Sequence, residues 1–243
     1  LTAAQVAALT TAQIDSLSAA QITALGADLS SLSTSAMGSI DATQAANISS
    51  AQLASFDTAD IQALAPAAIG GLTPTALASL NNSQLADLTA AQVAALTTAQ
   101  IDSLSAAQIT ALGADLSSLS TSAMGSIDAT QAANISSAQL ASFDTADIQA
   151  LAPAAIGGLT PTALADLTAA QVAALTTAQI DSLSAAQITA LGADLSSLST
   201  SAMGSIDATQ AANISSAQLA SFDTADIQAL APAAIGGLTP TAL

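Results

Sequence analysis

The side chains in this chain that could do chemistry are hydroxyls and carboxylates, because Lys, Arg, His, Cys, Trp and Tyr are all absent. The densest acidic segment is FDTAD, which places carboxylates at Asp57 and Asp60, at Asp144 and Asp147, and at Asp223 and Asp226. Paired carboxylates suggest weak Ca²⁺ binding. Their spacing matches neither an EF-hand loop nor the glycine-rich nonapeptide calcium repeat. We favour helix capping by Asp57 and Asp60, and predict no metal-binding residues and no cofactor.

Catalysis by a hydroxyl needs a neighbouring base, usually His or a carboxylate. Here the Ser, Thr and scattered Asp residues fall mainly where helix caps are expected. We therefore predict that the chain is not an enzyme, and that it has no catalytic or cofactor-binding residues and no small-molecule substrate.

Charge and hydropathy exclude further classes of partner. The 17 acidic residues give a net charge of −17, yet 51% of the residues are apolar and the mean hydropathy is +0.60. Such a chain is too apolar for a disordered polyanion. Without cations, and with only three Phe, it cannot neutralise phosphates or stack extensively on bases, so we predict no nucleic-acid binding. The longest run without polar side chains, ALAPAAIGGL at 63–72, is about half a membrane span, so none is predicted.

The chain is built from repeats within repeats. Residues 1–77 recur unchanged at 88–164 and at 167–243, whereas SLNNSQLA at 79–86 has no counterpart in the second copy. That difference defines a unit of eight residues, here called an octad, with Leu1 at position 1 of the first. We predict a single continuous array over residues 1–243, with copies at 1–87, 88–166 and 167–243, and interpret it as a segment of a longer array.

Each octad carries the signals of a helix start. Position 1 is Leu, Ile or Phe, and position 6 is nearly always Val, Ile, Leu or Met, which is the spacing of a hydrophobic staple. Position 2 is mostly Ser, Thr, Asp or Asn, and position 5 is often Gln, which completes a capping box. Pro66 and Pro74 both lie at position 3, the first helical position.

The period excludes other structures. Eight residues of one continuous helix would advance by roughly 800°, so its apolar stripe would spiral by roughly 80° per octad. Positions 1 and 6 of a strand would face opposite sides. We therefore predict an all-α solenoid, or superhelix, of very short capped helices, one per eight-residue repeat. Such short helices are unstable alone and must stack.

Three details refine this prediction. The small residues at position 4 predict tight stacking there. The loss of one octad from the second copy predicts that octads are quasi-equivalent. The octads at 25–31, 112–118 and 191–197 have only seven residues and carry Gly26 and its equivalents at the cap position, which predicts a local kink or a change of pitch.

The segment LTAAQVAALTTAQIDSLSAAQ resembles the L-[ST]-x-x-Q-hydrophobic-x-x repeats of very large secreted or surface proteins of bacteria, which are adhesin-like or haemagglutinin-like. Position 5 departs from this pattern at Ala36, Ala68 and Ala76. The resemblance implies an extracellular or cell-surface location and a structural or adhesive role.

Two functions from different classes remain open, along with a less favoured third. The first is a structural repeat protein that forms a rod, stalk or self-assembling filament, with further copies of itself as partners. The alternative is a passive spacer region of a giant adhesin whose binding domains lie outside this segment. A binding module would need a patch of aromatic or charged side chains, which the sequence does not contain.

Overall fold

In a computed structural model, which describes residues 1–243, the regular secondary structure of the chain is entirely helical, and it contains no β-strand. It has 27 α-helices of four to six residues and three 3₁₀-helices of six residues. The helices follow the octads one by one, which confirms the predicted all-α solenoid of very short helices. None of them has the length and apolar character that a bilayer span requires.

The chain forms two compact units, Leu1–Ala123 and Met124–Leu243. The first fourteen α-helices are α1 (Ala3–Ala7), α2 (Thr11–Asp15), α3 (Ala19–Ala24), α4 (Thr34–Met37), α5 (Ala42–Ala45), α6 (Ser50–Leu53), α7 (Thr58–Ala63), α8 (Pro66–Gly71), α9 (Pro74–Ala78), α10 (Asn82–Ala86), α11 (Ala90–Ala94), α12 (Thr98–Ser103), α13 (Ala106–Ala111) and α14 (Thr121–Met124). The others are α15 (Ala129–Ala132), α16 (Ser137–Ala141), α17 (Thr145–Ala150), α18 (Pro153–Gly158), α19 (Pro161–Ala165), α20 (Ala169–Ala173), α21 (Thr177–Asp181), α22 (Ala185–Ala190), α23 (Thr200–Met203), α24 (Ala208–Ala211), α25 (Ser216–Leu219), α26 (Thr224–Ala229) and α27 (Pro232–Gly237). The 3₁₀-helices are Gly26–Ser31, Gly113–Ser118 and Gly192–Ser197.

Helix α11 shows how an octad starts its helix. Thr89 is extended, with φ −76° and ψ 157°, and its Oγ1 accepts a hydrogen bond from the backbone N–H of Gln92 at 3.3 Å. In return, Gln92 Oε1 accepts from the backbone N–H of Thr89 at 2.9 Å. Most of the helices have the same reciprocal pair, which confirms the predicted capping boxes. Pro66 and Pro74 occupy the first positions of α8 and α9, as predicted.

The core is formed by positions 1 and 6 of the octad. In the octad of α11, Leu88 at position 1 is buried, as is Val93 at position 6. These are the residues just before the cap and in the second helical turn, so the predicted hydrophobic staple is present. Burial of each side chain contributes roughly 1.5–3 kcal/mol. Two such residues per octad cannot offset the backbone entropy of eight, so each helix depends on its neighbours.

Helices stack on helices three octads away. In the first unit α5 packs on α8, α6 on α9 and α9 on α12, and in the second unit α18 packs on α21 and α19 on α22. Within each unit the chain therefore winds in superhelical turns of between three and four octads, and we call one such turn a coil. Neighbouring coils are the layers of the solenoid.

The tight stacking predicted at position 4 is wrong. Position 4 faces solvent throughout, for example at Ala59, Ala67 and Ala91. It lies two residues before the buried position 6, which is about 200° around the helix, so the two point to opposite sides. Position 8 makes the close contacts instead, against position 3 of an earlier octad. Ser103 Oγ, for instance, donates to the carbonyl of Pro74 at 3.1 Å.

Two backbones approach each other closely where α8 meets α5. A Cβ on Gly71 would lie 2.5 Å from the carbonyl oxygen of Ala42 and 2.6 Å from its Cα. Gly158 meets Ala129 in the same way in the second unit. The octad of α8 has Ala68, and not Gln, at position 5, and Ala68 is completely buried. A small residue at that position lets the two helices touch directly.

The seven-residue octads form the 3₁₀-helices. Gly26 has φ +56°, in the left-handed region that favours glycine, and Gly113 and Gly192 share this conformation. A 3₁₀-helix rises about 2.0 Å per residue instead of 1.5 Å, so a shorter segment spans a comparable length. Leu29 is fully buried, and it takes the place that the residue at position 6 occupies in the eight-residue octads. The predicted irregularity thus takes the form of a different helix type.

The close packing can be tested at two glycines that have the same neighbours in sequence but different neighbours in space. Gly70 and Gly236 occupy the same place in the hexapeptide PAAIGG, but a Cβ on Gly70 would lie 2.7 Å from the carbonyl oxygen of Ala95, whereas one on Gly236 would meet nothing within 4 Å. We expect Gly70→Ala to destabilise the chain by about 1–3 kcal/mol, because a backbone must shift. Gly236→Ala should be neutral or stabilising by up to about 1 kcal/mol, because alanine favours helix. Urea denaturation followed by circular dichroism measures both. Equal effects would contradict the packing.

Candidate functional site: the glutamine bridges between coils

The Asp pairs singled out by the sequence are helix caps. Asp57 Oδ1 accepts from the backbone N–H of Asp60 at 2.9 Å, and Asp60 Oδ2 accepts from the backbone N–H of Asp57 at 3.1 Å. The same reciprocal bonds join Asp144 to Asp147 and Asp223 to Asp226. The interpretation of these residues as caps is therefore confirmed. The structure contains no group of three or more acidic side chains arranged to hold a metal ion.

An Asp at position 5 is less favourable than the usual Gln. Burial raises the pKa of Asp60 above its ordinary value, and the negative charge of Asp57 acts in the same direction, while the hydrogen bond from the backbone N–H of Asp57 opposes the shift. Asp147 has a raised pKa for the same reasons. The fold therefore disfavours the charged form of these two side chains. A neutral carboxamide at the same position avoids that cost.

The glutamines at position 5 form the main polar contact between coils. The sequence pattern indicated only their other role, in the capping box. Capping uses the side-chain oxygen alone and leaves the NH₂ group available. Gln92 Nε2 donates to the carbonyl oxygens of Ile61 and Leu64, each at 2.7 Å. Gln100 Nε2 donates to those of Ile69 and Leu72, each at 2.9 Å. Both N–H groups of each carboxamide are thus satisfied.

The same arrangement recurs along both units. We call these residues the bridging glutamines: Gln44, Gln52, Gln84, Gln92, Gln100, Gln108, Gln171, Gln179, Gln187, Gln210 and Gln218. Most are almost fully buried, and no buried side-chain nitrogen or oxygen in the chain lacks a hydrogen-bond partner. A buried amide costs little when its bonds are complete.

The acceptors are carbonyls at the end of a short helix that still have a lone pair free: the carbonyl of Ile61 accepts one hydrogen bond from the backbone N–H of Leu64 at 3.3 Å and a second from the bridge. The last turn of any helix leaves carbonyl oxygens without partners inside the helix. Gln92 reaches 31 residues back to Ile61, near the end of α7, and 28 residues back to Leu64, which begins the next octad. Each bridge therefore joins the start of one helix to the end of a helix in the preceding coil. These distances along the chain set the coil at between three and four octads.

The bridges explain how an octad can be lost. Gln92 and Gln171 lie in identical octads, LTAAQVAA. Gln92 bonds to Ile61 and Leu64, whereas Gln171 bonds to Leu140 and Phe143, which correspond to Leu53 and Phe56 of the first copy. In the first copy those two carbonyls are taken by Gln84, in the octad that the second copy lacks. The predicted quasi-equivalence of octads is therefore confirmed at this junction.

The fold and its bridges define a helical repeat protein. Residues 140–177 match the family model of the ALTTAQ repeat. The hexapeptide ALTTAQ itself occurs at residues 8–13, 95–100 and 174–179 of this chain. Each occurrence spans position 8 of one octad and positions 1 to 5 of the next, so it includes the cap residue at position 2 and the glutamine at position 5. No curated protein matches the chain.

A matched pair of substitutions isolates the bridge from the cap. An ionised Glu at position 5 can accept from the cap backbone as Gln does, but it cannot donate to the preceding coil. We expect Gln92→Glu to destabilise the chain by at least about 3 kcal/mol, because a buried carboxylate would face two carbonyl oxygens. Gln5→Glu, in an identical octad whose glutamine is exposed, should change stability by less than about 0.5 kcal/mol. Urea denaturation measures both, and a Gln92→Glu variant as stable as Gln5→Glu would refute the bridging role.

Proposed function

We propose that this chain is a structural repeat protein that forms a rod, stalk or self-assembling filament outside a bacterial cell. The observation that supports this most is the bridge between coils. Its acceptors are backbone carbonyls, which every octad possesses, so each coil offers the next one the same contacts. A fold of this kind can be extended without changing its chemistry. The resemblance to octad repeats of large bacterial surface proteins supports the extracellular location.

We also propose that the role is structural rather than catalytic. The hydroxyls of Ser and Thr cap helices or bond to backbone carbonyls, as Thr89 and Ser103 do. The carboxylates of Asp57 and Asp60 are occupied with backbone N–H groups. A chain of net charge −17 without a single Lys or Arg is also unsuited to nucleic acid. Its partners in this proposal are further copies of itself.

The alternative is a passive spacer in a giant adhesin, with recognition supplied by other domains. The exposed positions 2, 3, 4 and 7 of the octads carry mostly small residues and Asp, and lack the aromatic and Arg side chains typical of binding hot spots. Such a surface suits a spacer as well as it suits a filament. The two functions differ in whether the chain associates with itself.

Self-association should depend on salt. Each molecule carries a charge of −17, so molecules repel one another at low ionic strength. Raising the salt concentration from about 0.01 M to 1 M shortens the screening length from about 30 Å to 3 Å. We expect fibres of uniform width by negative-stain electron microscopy at high salt, and fewer or none at low salt. A strictly monomeric chain at both salt concentrations, measured by sedimentation at high protein concentration, would contradict the filament and leave the spacer.

A further inference from the structure

The octad FDTADIQA has a carboxylate at position 5, where most other octads have Gln or Ala. In the first copy this residue is Asp60 and in the second it is Asp147, and each is only 7% exposed. A bridging glutamine donates hydrogen bonds to the preceding coil, whereas an ionised carboxylate has no hydrogen to donate. An ionised Asp60 therefore cannot form the bridge that the buried glutamines form.

The neighbouring bridges indicate which groups of the preceding coil lie opposite Asp60. Gln84 and Gln92 each donate to carbonyls 31 and 28 residues back. The same two steps from Asp60 lead to Leu29 and Leu32, and Leu32 lies just before the cap of α4, the helix on which α7 packs. This position thus places a negative charge opposite the oxygens of backbone carbonyls. We call the contact between α7 and the preceding coil the acidic joint.

No positive charge compensates Asp60, because the chain has no Lys, Arg or His. Neither α4 nor the helices of the following coil, α10 and α11, carry a titratable side chain. The titratable groups nearest in the stack are all acids: Asp57 in the same capping box, Asp28 in the 3₁₀-helix of the preceding coil, and Asp87 after α10, whose Oδ2 accepts from Thr58 Oγ1 at 2.6 Å. Each of these groups is negative when ionised, so all of them oppose the charge of Asp60.

We propose that the acidic joint is a pH-sensitive contact, which ionisation of Asp60 loosens and protonation tightens. The ionised carboxylate is better hydrated when the coils separate, so its charge favours opening. The neutral carboxyl avoids this cost and gains a hydrogen that it can donate. A bridging glutamine cannot respond in this way, because a carboxamide does not titrate. The change occurs within one molecule and needs no self-association.

Protonation of Asp60 should stabilise the fold in the pH range where Asp titrates. Burial raises the pKa of Asp60, and the charge of Asp57 acts in the same direction, so the folded chain binds this proton more tightly than the unfolded chain. The resulting stabilisation is fully present below the ordinary Asp pKa of about 3.9 and is lost as the pH rises through the higher pKa of the folded chain. Acid often destabilises proteins by breaking ion pairs of carboxylates. Without Lys, Arg or His, this chain has no such side-chain pairs to break.

Two substitutions at Asp60 separate the effect of the charge from that of the missing bridge. Asp60→Asn removes the charge at nearly constant size, and we expect it to raise the melting temperature at about pH 7 by about 2–4 °C. Asp60→Gln should raise it further, because its longer carboxamide can bridge as that of Gln84 does. At about pH 3 the advantage of Asp60→Asn should disappear, since wild-type Asp60 is then neutral as well. Circular dichroism at low protein concentration measures all three melting temperatures.

The matched control is Asp102→Asn, which removes the same charge from an exposed side chain of α12. Its melting temperature should stay within about 1 °C of that of the wild type at both pH values. Stabilisation of the same size in both Asn variants would reflect the overall charge of −17 and would overturn the acidic joint. The same conclusion would follow if Asp60→Asn were no more stable than the wild type at about pH 7, or kept its full advantage at about pH 3.

NMR on a chain with ¹³C-labelled Asp measures the proton binding itself. The carboxyl resonance that disappears in Asp60→Asn belongs to Asp60, although the copies share their sequence. Its titration midpoint should lie above the ordinary pKa of about 3.9, and a midpoint at or below that value would overturn the acidic joint. These measurements follow single molecules, so failure of the joint leaves the proposed filament standing, and failure of the filament leaves the joint.

Discussion

A carboxamide has an oxygen that accepts hydrogen bonds and a nitrogen that donates two, and a bridging glutamine such as Gln92 uses them all. Its oxygen completes the cap of its own helix, and its nitrogen bonds to two carbonyls of the preceding coil. Helix start and coil stacking therefore depend on one side chain. This coupling matters because helices of four to six residues are unstable alone. An octad that lost its neighbouring coil would expose both its carboxamide donors and its core residues to water.

Because the bridge acts on backbone carbonyls, it does not distinguish one octad from another. Gln84 and Gln171 bond to equivalent pairs of carbonyls in different copies although their octads differ in sequence. Side-chain contacts between coils would require matched partners, and loss of an octad would shift every later pair. Position 5 departs from Gln at Ala68, where direct backbone contact through Gly71 replaces the bridge. Neither of these contacts between coils requires a unique partner.

Much of the fold follows from local signals in the sequence. The caps at position 2, the prolines Pro66 and Pro74 at the first helical position, and the staple between positions 1 and 6 are properties of one octad, so the periodicity reveals them. The assembly of coils is different, because it depends on which octads lie above one another. The coil repeat comes from contacts 28 and 31 residues apart, for which the octad period carries no signal.

The candidate site was predictable to the same extent. The pattern identified Gln92 as a cap residue, and the unused NH₂ group was the one available sign of a second role. The interpretation of position 4 as a stacking surface was wrong because small size alone does not say which side of a helix faces its neighbour. Ala91 faces solvent, whereas Gly71, in the last turn of its helix, touches the backbone of Ala42. The positive φ of Gly26, by contrast, fits the local irregularity that the sequence predicted at the seven-residue octad.

The most direct test of the bridge is hydrogen exchange of the glutamine side-chain amides, measured by NMR on a chain with ¹⁵N-labelled glutamine. We expect the carboxamide hydrogens of Gln92, Gln100 and Gln179 to exchange far more slowly than those of a free peptide, because both are bonded and buried. Those of the exposed Gln5 should exchange at close to free-peptide rates under conditions where the chain is monomeric. Equally fast exchange at Gln92 and Gln5 would contradict the claim that the carboxamide holds one coil to the next.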